Sequence, residues 1–306
     1  MSVVVDQLTK SYGVQKAIDS LNFSVSEGEI VGLLGPNGAG KTTTMKILSG
    51  YIPATFGQAT VYGNSVETHP LEVKKMIGYL PEHNPLYLNM YVKEYLGMVA
   101  KIHKLENQSS RVSDVIEMTG LGIESHKKIK MLSKGYRQRV GLAQAIIHEP
   151  KVLILDEPTS GLDPNQLIEI RQLISQLGKN RIVIFSSHIM QEVQALCSRV
   201  IILNRGQLIA DSPMESLVSQ LQGSQLITVE YQKPIDLNLL KSLSEVETVI
   251  KVKDGIYQVT SQPGKDIRTD LFDLAVNQSN RMVGLTVEKQ DMQDVFQTLT
   301  AQTNEV

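Results

Sequence analysis

The amino-acid sequence predicts an α/β fold with a mostly parallel sheet, a β-rich edge and a helical subdomain, followed by a small α+β module. Three observations lead to this prediction. A glycine-rich loop at residues 35–42 lies between an apolar run and a helix start. Two nearly continuous apolar runs, 151–155 and 181–186, flank a helical pattern, which is typical of a buried parallel β-α-β unit. After residue 223 the pattern changes to short strands and short helices.

The glycine-rich loop has the pattern G-x-x-x-x-G-K-T of a phosphate-binding loop. Its glycines let the backbone curl so that successive N–H groups face phosphate oxygens, and the following helix N-terminus adds partial positive charge. We expect Lys41 to reach the β- and γ-phosphates and the Thr42 hydroxyl to ligate Mg²⁺. The sequence therefore predicts binding of a nucleoside triphosphate. The predicted contact residues are Gly35, Pro36, Asn37, Gly38, Ala39, Gly40, Lys41, Thr42 and Thr43.

Two carboxylates follow the apolar run 152–155. An acidic residue after an apolar strand is common in itself, and the phosphate-binding loop elsewhere in the chain makes this one informative. Ligands in α/β sheets bind beyond the carboxyl ends of the strands, and an Asp at that place holds Mg²⁺ beside a phosphate-binding loop. We therefore predict Asp156 as a Mg²⁺ ligand and Glu157 as the general base toward an attacking water.

A second helix start and a histidine extend the predicted site. Ser133 occupies an N-cap position and Gly135 follows it, so this helix N-terminus offers a further place for a γ-phosphate. One nucleotide rarely needs two such sites from one subunit, which suggests that the second serves a nucleotide held by another copy. His188 directly follows the predicted strand 183–187, at the strand end where it can sense a γ-phosphate; a purely structural histidine is the alternative.

The composition limits the class of protein. The chain has 306 residues, a net charge of −2 and 42% hydrophobic residues, as expected for about two globular domains without a general attraction to nucleic acid. Cys197 is the only cysteine, which excludes an intrachain disulfide and a cysteine zinc site. The first residues show no signal-peptide pattern, and no apolar run approaches the ~20 residues of a membrane helix. We expect a cytoplasmic protein that reaches a membrane only through a partner.

The pattern along the chain predicts two domains, residues 1–220 and 224–306, joined by a polar Gly/Ser-containing stretch. In the first domain, β-rich runs precede a helical middle at about 86–147. In the second, the predicted order is β-α-β-β-α-β plus a final helix, which indicates a ferredoxin-like module. Asp254-Gly255 is a strong hairpin signal within it. The final helix is predicted from an apolar stripe at Met292, Val295, Phe296 and Leu299.

Together these segments resemble the ATP-binding subunit of ABC transporters over about residues 1–220. The resemblance implies the P-loop ABC ATPase fold, with ATP and Mg²⁺ as ligands. Tyr12 matches the aromatic residue that stacks on adenine, and residues 132–136, Leu-Ser-Lys-Gly-Tyr, match the signature motif. Asp163 matches the Asp of the D-loop, which lies across the dimer seam, and His188 matches the switch histidine.

Two positions depart from the family pattern. Glu82 stands where the Q-loop normally carries Gln, which contacts Mg²⁺ and the attacking water; a glutamate can still accept hydrogen bonds or bind Mg²⁺, but it adds a charge. Lys134 replaces a signature glycine. It either adds a cation near the facing phosphates or points to solvent.

Glu82, the altered signature and the appended module ending in Asp294-Val295-Phe296 resemble the ABC-2 branch of exporters. Within that branch the chain is similar to ATP-binding subunits associated with gliding motility. The resemblance implies a head-to-tail homodimer of ATP-binding subunits, transmembrane permease subunits as partners and a location on the inner face of the cell membrane. ATP-driven closure of the dimer would then drive export.

Other functions remain open from the sequence. The exporter could serve a drug, a polysaccharide or a metal-site maturation system unrelated to motility. A soluble ABC-type ATPase acting on ribosomes or DNA is disfavoured because the chain has one ATPase domain, no sustained heptads and no basic bias. A nucleotide-binding regulator that does not hydrolyse is disfavoured by Glu157 and His188, although Glu82 leaves it open.

Overall fold

The computed structural model describes residues 2–221, 225–262 and 264–289. The chain divides into two units, residues 1–212 and 213–306. The division therefore falls between Ser212 and Pro213 rather than near residue 220, and the helix Met214–Leu221 belongs to the second unit.

The first unit contains two sheets. Its strands are β1 (Val3–Tyr12), β2 (Gln15–Val25), β3 (Ile30–Leu34), β4 (Phe56–Val61), β5 (Asn64–Ser65), β6 (Ile77–Leu80), β7 (Val152–Asp156), β8 (Ile182–Ser187), β9 (Arg199–Asn204) and β10 (Gln207–Pro213). One sheet has the order β2-β1-β4-β5 and antiparallel pairing, which forms the predicted β-rich edge. The other has the order β10-β9-β3-β8-β7-β6.

The larger sheet is mostly parallel, as predicted. The pairs β3–β8, β3–β9, β6–β7 and β7–β8 all run parallel. Every residue of β7 and β8 is buried, because strands covered on both faces need apolar side chains on both. Since β3, β8 and β7 are neighbours, their carboxyl ends meet at one edge of the sheet, and the phosphate-binding loop, Glu157 and His188 follow them there.

The predicted helical middle contains three helices and a short 3₁₀ turn. The helices of the first unit are α1 (Lys41–Leu48), α2 (Pro70–Met76), α3 (Val92–Ile102), α4 (Gln108–Met118), α5 (Lys134–Ile146), α6 (Pro164–Gly178) and α7 (Met190–Leu196), and the 3₁₀ turn is Ile129–Met131. Helix α3 buries a one-sided stripe that includes Val92, Leu96 and Val99. Among the described residues, no helix is long and apolar enough to cross a bilayer.

The second unit follows the predicted β-α-β-β-α-β order over its described part. Its elements are α8 (Met214–Leu221), β11 (Gln225–Tyr231), α9 (Leu237–Lys241), β12 (Val246–Lys253), β13 (Ile256–Ser261), α10 (Arg268–Asn277) and β14 (Met282–Lys289). The strands form an antiparallel sheet of order β12-β13-β11-β14. Its core includes the buried residues Val229, Tyr257 and Leu271. The predicted final helix at residues 292–299 lies outside the described residues.

A stacked histidine pair in the first unit makes its stability depend on pH. The rings of His103 and His148 lie 4.0 Å apart and nearly parallel, and His148 Nε2 lies 3.0 Å from the Ile77 carbonyl oxygen. Burial and the neighbouring His103 lower the pKa of His148 from 6.5 to about 4. The unfolded chain therefore binds a proton at this residue at a higher pH than the folded chain does.

We expect the free energy of unfolding to fall as the pH drops from about 6.5 toward 4, because the unfolded state gains the proton first. Urea unfolding at several pH values measures this slope, and His148→Gln should flatten it. The exposed His83 provides the control, since His83→Gln should leave the slope unchanged. Equal slopes in all three proteins would contradict the role of His148.

Candidate active site

The phosphate-binding loop connects β3 to α1 at the carboxyl edge of the larger sheet. Gly38 and Gly40 have positive φ values of 81° and 105°, which L residues with a side chain rarely adopt. A Cβ atom on Gly35 would lie 2.4 Å from the Leu203 carbonyl oxygen, and one on Gly40 would lie 2.6 Å from Ile18 Cγ2. Neighbouring atoms therefore leave no room for a side chain at residues 35 and 40, in addition to the glycine pattern of the loop itself.

Lys41 lies inside the loop and is only 6% exposed. Its Nζ donates to the Gly35 carbonyl oxygen at 2.7 Å and lies 3.7 Å from Glu157 Oε1. Burial lowers the pKa of Lys41, while Glu157 and Asp156 oppose this shift. The ammonium group is thus held at the head of the loop, between backbone carbonyls and a carboxylate.

Asp156 is fully buried and carries one oxygen without a protein partner. Its Oδ1 accepts hydrogen bonds from Thr42 Oγ1 at 3.1 Å and Ser186 Oγ at 2.7 Å. Its Oδ2 is buried and has no hydrogen-bond partner among the described residues. Burial raises the pKa of Asp156. A carboxylate oxygen and a hydroxyl at this place are the hard oxygen ligands that Mg²⁺ takes, so these residues fit a magnesium site.

Glu157 and His188 form a pair beside the loop. His188 Nδ1 lies 2.9 Å from Glu157 Oε2, and the Glu157 N–H donates to Ser186 Oγ at 2.9 Å. Glu157 has a positive φ of 48°, an uncommon backbone conformation for a residue with a side chain and one that recurs at functional sites. Burial raises the pKa of Glu157, while His188 and Lys41 oppose this shift. The carboxylate is therefore fixed in place and a better proton acceptor than an ordinary glutamate.

The phosphate-binding loop, Glu157 and His188 line a cavity of about 840 Å³. Its lining brings together most of the predicted loop with Glu82, Glu157 and His188, which lie far apart in the sequence. Two cations that the sequence analysis did not single out, Lys16 and Arg205, also line it and favour an anionic ligand. The full lining is Gln15, Lys16, Ala17, Asn37, Gly38, Ala39, Gly40, Lys41, Thr42, Thr43, Glu82, Glu157, Ser160, His188 and Arg205.

Seven predicted site residues lie outside this lining: the loop residues Gly35 and Pro36, the buried Asp156, and Tyr12, Ser133, Gly135 and Asp163. Tyr12 is 55% exposed and pairs with Gln15 across the turn between β1 and β2, so it borders a lining residue. Ser133 is exposed and caps α5 by accepting a hydrogen bond from the Tyr136 N–H. Gly135 follows in α5, and Asp163 caps α6.

The signature and D-loop segments contact each other within the chain. A Cβ atom on Gly161 would lie 2.0 Å from Lys134 Nζ, and one on Gly135 would lie 2.4 Å from Gln166 Oε1. The ammonium of Lys134 therefore lies against the D-loop backbone although the residue is exposed. Both glycines leave space for a long side chain from the neighbouring segment.

A buried glutamate that the sequence analysis did not single out connects the segments after β7 and β8. Glu192 is 2% exposed, and its Oε2 accepts hydrogen bonds from Thr159 Oγ1 and Ser187 Oγ, both at 2.7 Å. Thr159 follows Glu157 by two residues and Ser187 precedes His188. Glu192 thus holds together the two loops that carry the Glu157–His188 pair.

Replacing Glu192 with Ala should lower the free energy of unfolding by about 2–4 kcal/mol, because two buried hydroxyl groups lose their acceptor. Glu192→Gln retains an acceptor oxygen and should lose less. Chemical denaturation of both variants measures the difference. Equal stability of the Ala variant and the natural chain would show that these hydrogen bonds contribute nothing.

Comparison with known proteins places these features in a family. The family model for ABC transporters matches residues 18–160. The bacitracin transport ATP-binding protein BcrA of Bacillus licheniformis is 35% identical over 97% of this chain and 97% of its own length. The linearmycin resistance ATP-binding protein LnrL of Bacillus subtilis (strain 168) is 32% identical over 97% of this chain and 98% of its own. The similarity thus extends over both units.

Solved structures agree with the fold. A structure of an ATP-binding subunit of an ABC transporter has a TM-score of 0.65 and 27% identity, and the match covers 71% of this chain and 92% of that one. The ATP-binding cassette MJ0796, solved as a dimer in a post-hydrolysis state with ADP and Pi, has a TM-score of 0.64 over 69% of this chain and 98% of that one. At 24% identity it supports the fold alone. The chain belongs to the ATP-binding subunits of ABC transporters, a family of ATPases that bind ATP with Mg²⁺.

Proposed function

We propose that this chain powers an ABC-2 type exporter, coupling ATP binding and hydrolysis by a pair of copies to movement of a substrate across a membrane. The observation that carries the ATPase part is the Glu157–His188 pair, which faces the same cavity as Lys41. The export part is supported by whole-length similarity to two chains whose names specify bacitracin transport and linearmycin resistance.

The residues that line the cavity or lie beside it have distinct roles in this proposal. Lys41 binds the β- and γ-phosphates after leaving the loop carbonyls that it contacts here. Thr42 and Asp156 would hold Mg²⁺, which when bound neutralises phosphate charge and fixes the orientation of the phosphates. Glu82 lines the same cavity and adds a carboxylate beside them. Tyr12 would stack on the base near the β1–β2 turn.

Glu157 would accept a proton from the attacking water. Burial raises its pKa, so it takes the proton more readily than an exposed carboxylate, while His188 and Lys41 oppose that rise. His188 holds Oε2 at 2.9 Å and thereby fixes which oxygen faces the water. His188 is partly exposed on its other side, where it can contact a γ-phosphate.

The exposed position of Ser133 supports a head-to-tail dimer. The N-terminus of α5, with Ser133 and Gly135, lies outside the cavity lining of its own chain. A helix N-terminus binds anions, so it would close over a nucleotide held by the second copy. Asp163, at the start of α6, would lie at the same dimer seam.

The helical subdomain offers the surface for permease subunits. Tyr87, Leu88, Tyr91 and Met131 are large and exposed, and Lys128 Nζ lies 5.5 Å from the ring centre of Tyr91. Backbone hydrogen bonds from Lys130 to Leu88 and from Ile129 to Met90 join the two segments into one surface. Docking there would place the chain on the inner face of the membrane, attached only through its partner and without contact to nucleic acid.

The names of the relatives favour a small antibiotic-like compound as the substrate. A link between export and gliding motility rests on sequence resemblance alone and stays a prediction. Deleting the gene and measuring both gliding and antibiotic sensitivity separates the two: loss of gliding alone supports the motility link, and antibiotic sensitivity alone supports drug export.

Affinity purification from native membranes tests the exporter proposal. The bait is the Glu157→Gln chain with ATP, and the control bait is Lys41→Ala, which should bind nucleotide poorly. A multi-helix membrane protein in stoichiometric amount with the first bait would support the proposal. Recovery of ribosomes or DNA-associated proteins without a permease would overturn it in favour of a soluble ATPase.

A further inference from the structure

A second cavity of about 380 Å³ borders the phosphate-binding loop at Thr42. It shares Thr42 and Glu82 with the nucleotide cavity, so these two residues border both spaces. We refer to it as the rear chamber. The residues of its lining that matter here are Thr42, Tyr79, Glu82, Asn84, Gln144 and Asp156.

Three buried polar atoms of the rear chamber have no hydrogen-bond partner among the described residues. They are the Tyr79 hydroxyl, Asn84 Nδ2 and Asp156 Oδ2. Buried polar groups in folded proteins nearly always have a hydrogen-bond partner. A buried polar atom without a protein partner therefore needs an explanation, such as a bound water or ion. Three such atoms on residues that line one chamber large enough for several waters point to a common hydrated ligand.

The charges and hydrogen-bonding groups of the chamber residues indicate that this ligand is a hydrated Mg²⁺. Asp156 Oδ2 is an acceptor without a protein partner, and it belongs to the carboxylate whose other oxygen, Oδ1, accepts a hydrogen bond from the Thr42 hydroxyl at the proposed Mg²⁺ site. Burial and the Asp156 carboxylate raise the pKa of Tyr79, so its hydroxyl keeps its proton. Mg²⁺ retains several of its waters when it binds a protein, and groups around those waters tune its affinity.

We propose that the rear chamber holds the outer waters of the nucleotide-bound Mg²⁺ and that Tyr79 is a positioning residue for this hydrated cation. The Tyr79 hydroxyl acts through a water that it shares with Asp156 Oδ2. Asn84 borders the same waters. Its side-chain amide fits against α5 because residue 141 is glycine: a Cβ atom there would lie 1.7 Å from Asn84 Nδ2. The inference rests on the proposed magnesium ligands Thr42 and Asp156 and is independent of export.

The test compares how much Mn²⁺ strengthens binding of a fluorescent, non-hydrolysable ATP analogue to the full chain and to Tyr79→Phe. Dissociation constants are measured in EDTA and in Mn²⁺. We expect the gain from Mn²⁺ to shrink about 10-fold in the variant, as is typical for groups that support a metal ligand. Affinity in EDTA should not change. Without nucleotide, the melting temperature should stay equal or rise, because the variant removes a buried hydroxyl without a protein partner.

Two controls separate the possible failures. Tyr231→Phe removes a buried hydroxyl that donates to the Leu271 carbonyl oxygen, so it should lower the melting temperature and leave the Mn²⁺ effect intact. Asp156→Asn should remove most of the Mn²⁺ effect; if it does not, the proposed magnesium ligands are wrong. An unchanged Mn²⁺ effect in Tyr79→Phe, or an equal loss of affinity in EDTA, would overturn the role of Tyr79 alone.

Discussion

Replacing Glu157 with Gln is expected to lower the rate of ATP hydrolysis by about 10²–10⁴-fold while ATP binding is retained. Gln has nearly the same size and can still accept a hydrogen bond from His188, which lies 2.9 Å from Oε2. It cannot take a proton from water. The variant also removes the negative charge 3.7 Å from Lys41 Nζ, which frees this cation for phosphate.

Steady-state hydrolysis and equilibrium binding of ATP, measured on the same preparation, check this result. Glu72→Gln, on the surface of α2, makes the same chemical change away from the cavity and should behave like the natural chain. Hydrolysis by Glu157→Gln at a near-normal rate would remove Glu157 from the role of general base. Loss of binding as well would show that the residue is needed to shape the loop.

The dependence of hydrolysis on pH follows from the same residue. Burial raises the pKa of Glu157 above 4.5, and the base is active only when it is ionised. The rate should therefore fall, as the solution is acidified, at a higher pH than an ordinary glutamate would give. In the Glu157→Gln variant the residual rate should lack this acidic limb.

Sequence patterns sufficed for the parts of the fold that have a local signal. The apolar runs of β7 and β8 and the helix between them formed the predicted parallel unit. Strand β6 was missed because it has only four residues and lies next to helices. Its Gly78 is required by a distant segment, since a Cβ atom there would lie 2.1 Å from the Ala145 carbonyl oxygen. No local pattern reveals such a contact.

The candidate site shows the same limit. The phosphate-binding loop, the two carboxylates and His188 were predicted because their order and spacing along the chain are typical of a nucleotide site. The sheet brings them to one edge. Ser186 and Glu192, which fix Asp156 and the loops after β7 and β8, were not singled out. Their hydroxyl and carboxylate groups are ordinary in sequence, and only the pairing of β7 with β8 gives them partners.

Replacing Gly40 with Ala should abolish ATP binding and lower the free energy of unfolding, whereas Gly38→Ala should be much milder. Both glycines have positive φ, 105° and 81°, so both variants incur a backbone cost of about 1–2 kcal/mol. At Gly38 a Cβ atom meets nothing within 4 Å. At Gly40 it would lie 2.6 Å from Ile18 Cγ2 and 2.8 Å from the Ala17 carbonyl oxygen, which adds about 1–3 kcal/mol of overpacking.

The difference between the two variants isolates the effect of the neighbouring strand. Gly40 is the N-cap of α1, and β2 carries both contacting residues, so relief of the clash must move the helix start relative to β2. That movement displaces Lys41 and the N–H groups that bind phosphate. Urea unfolding and ATP titration of both variants measure the two effects. Similar losses in Gly38→Ala and Gly40→Ala would mean that backbone conformation alone, and not contact with β2, sets the shape of the loop.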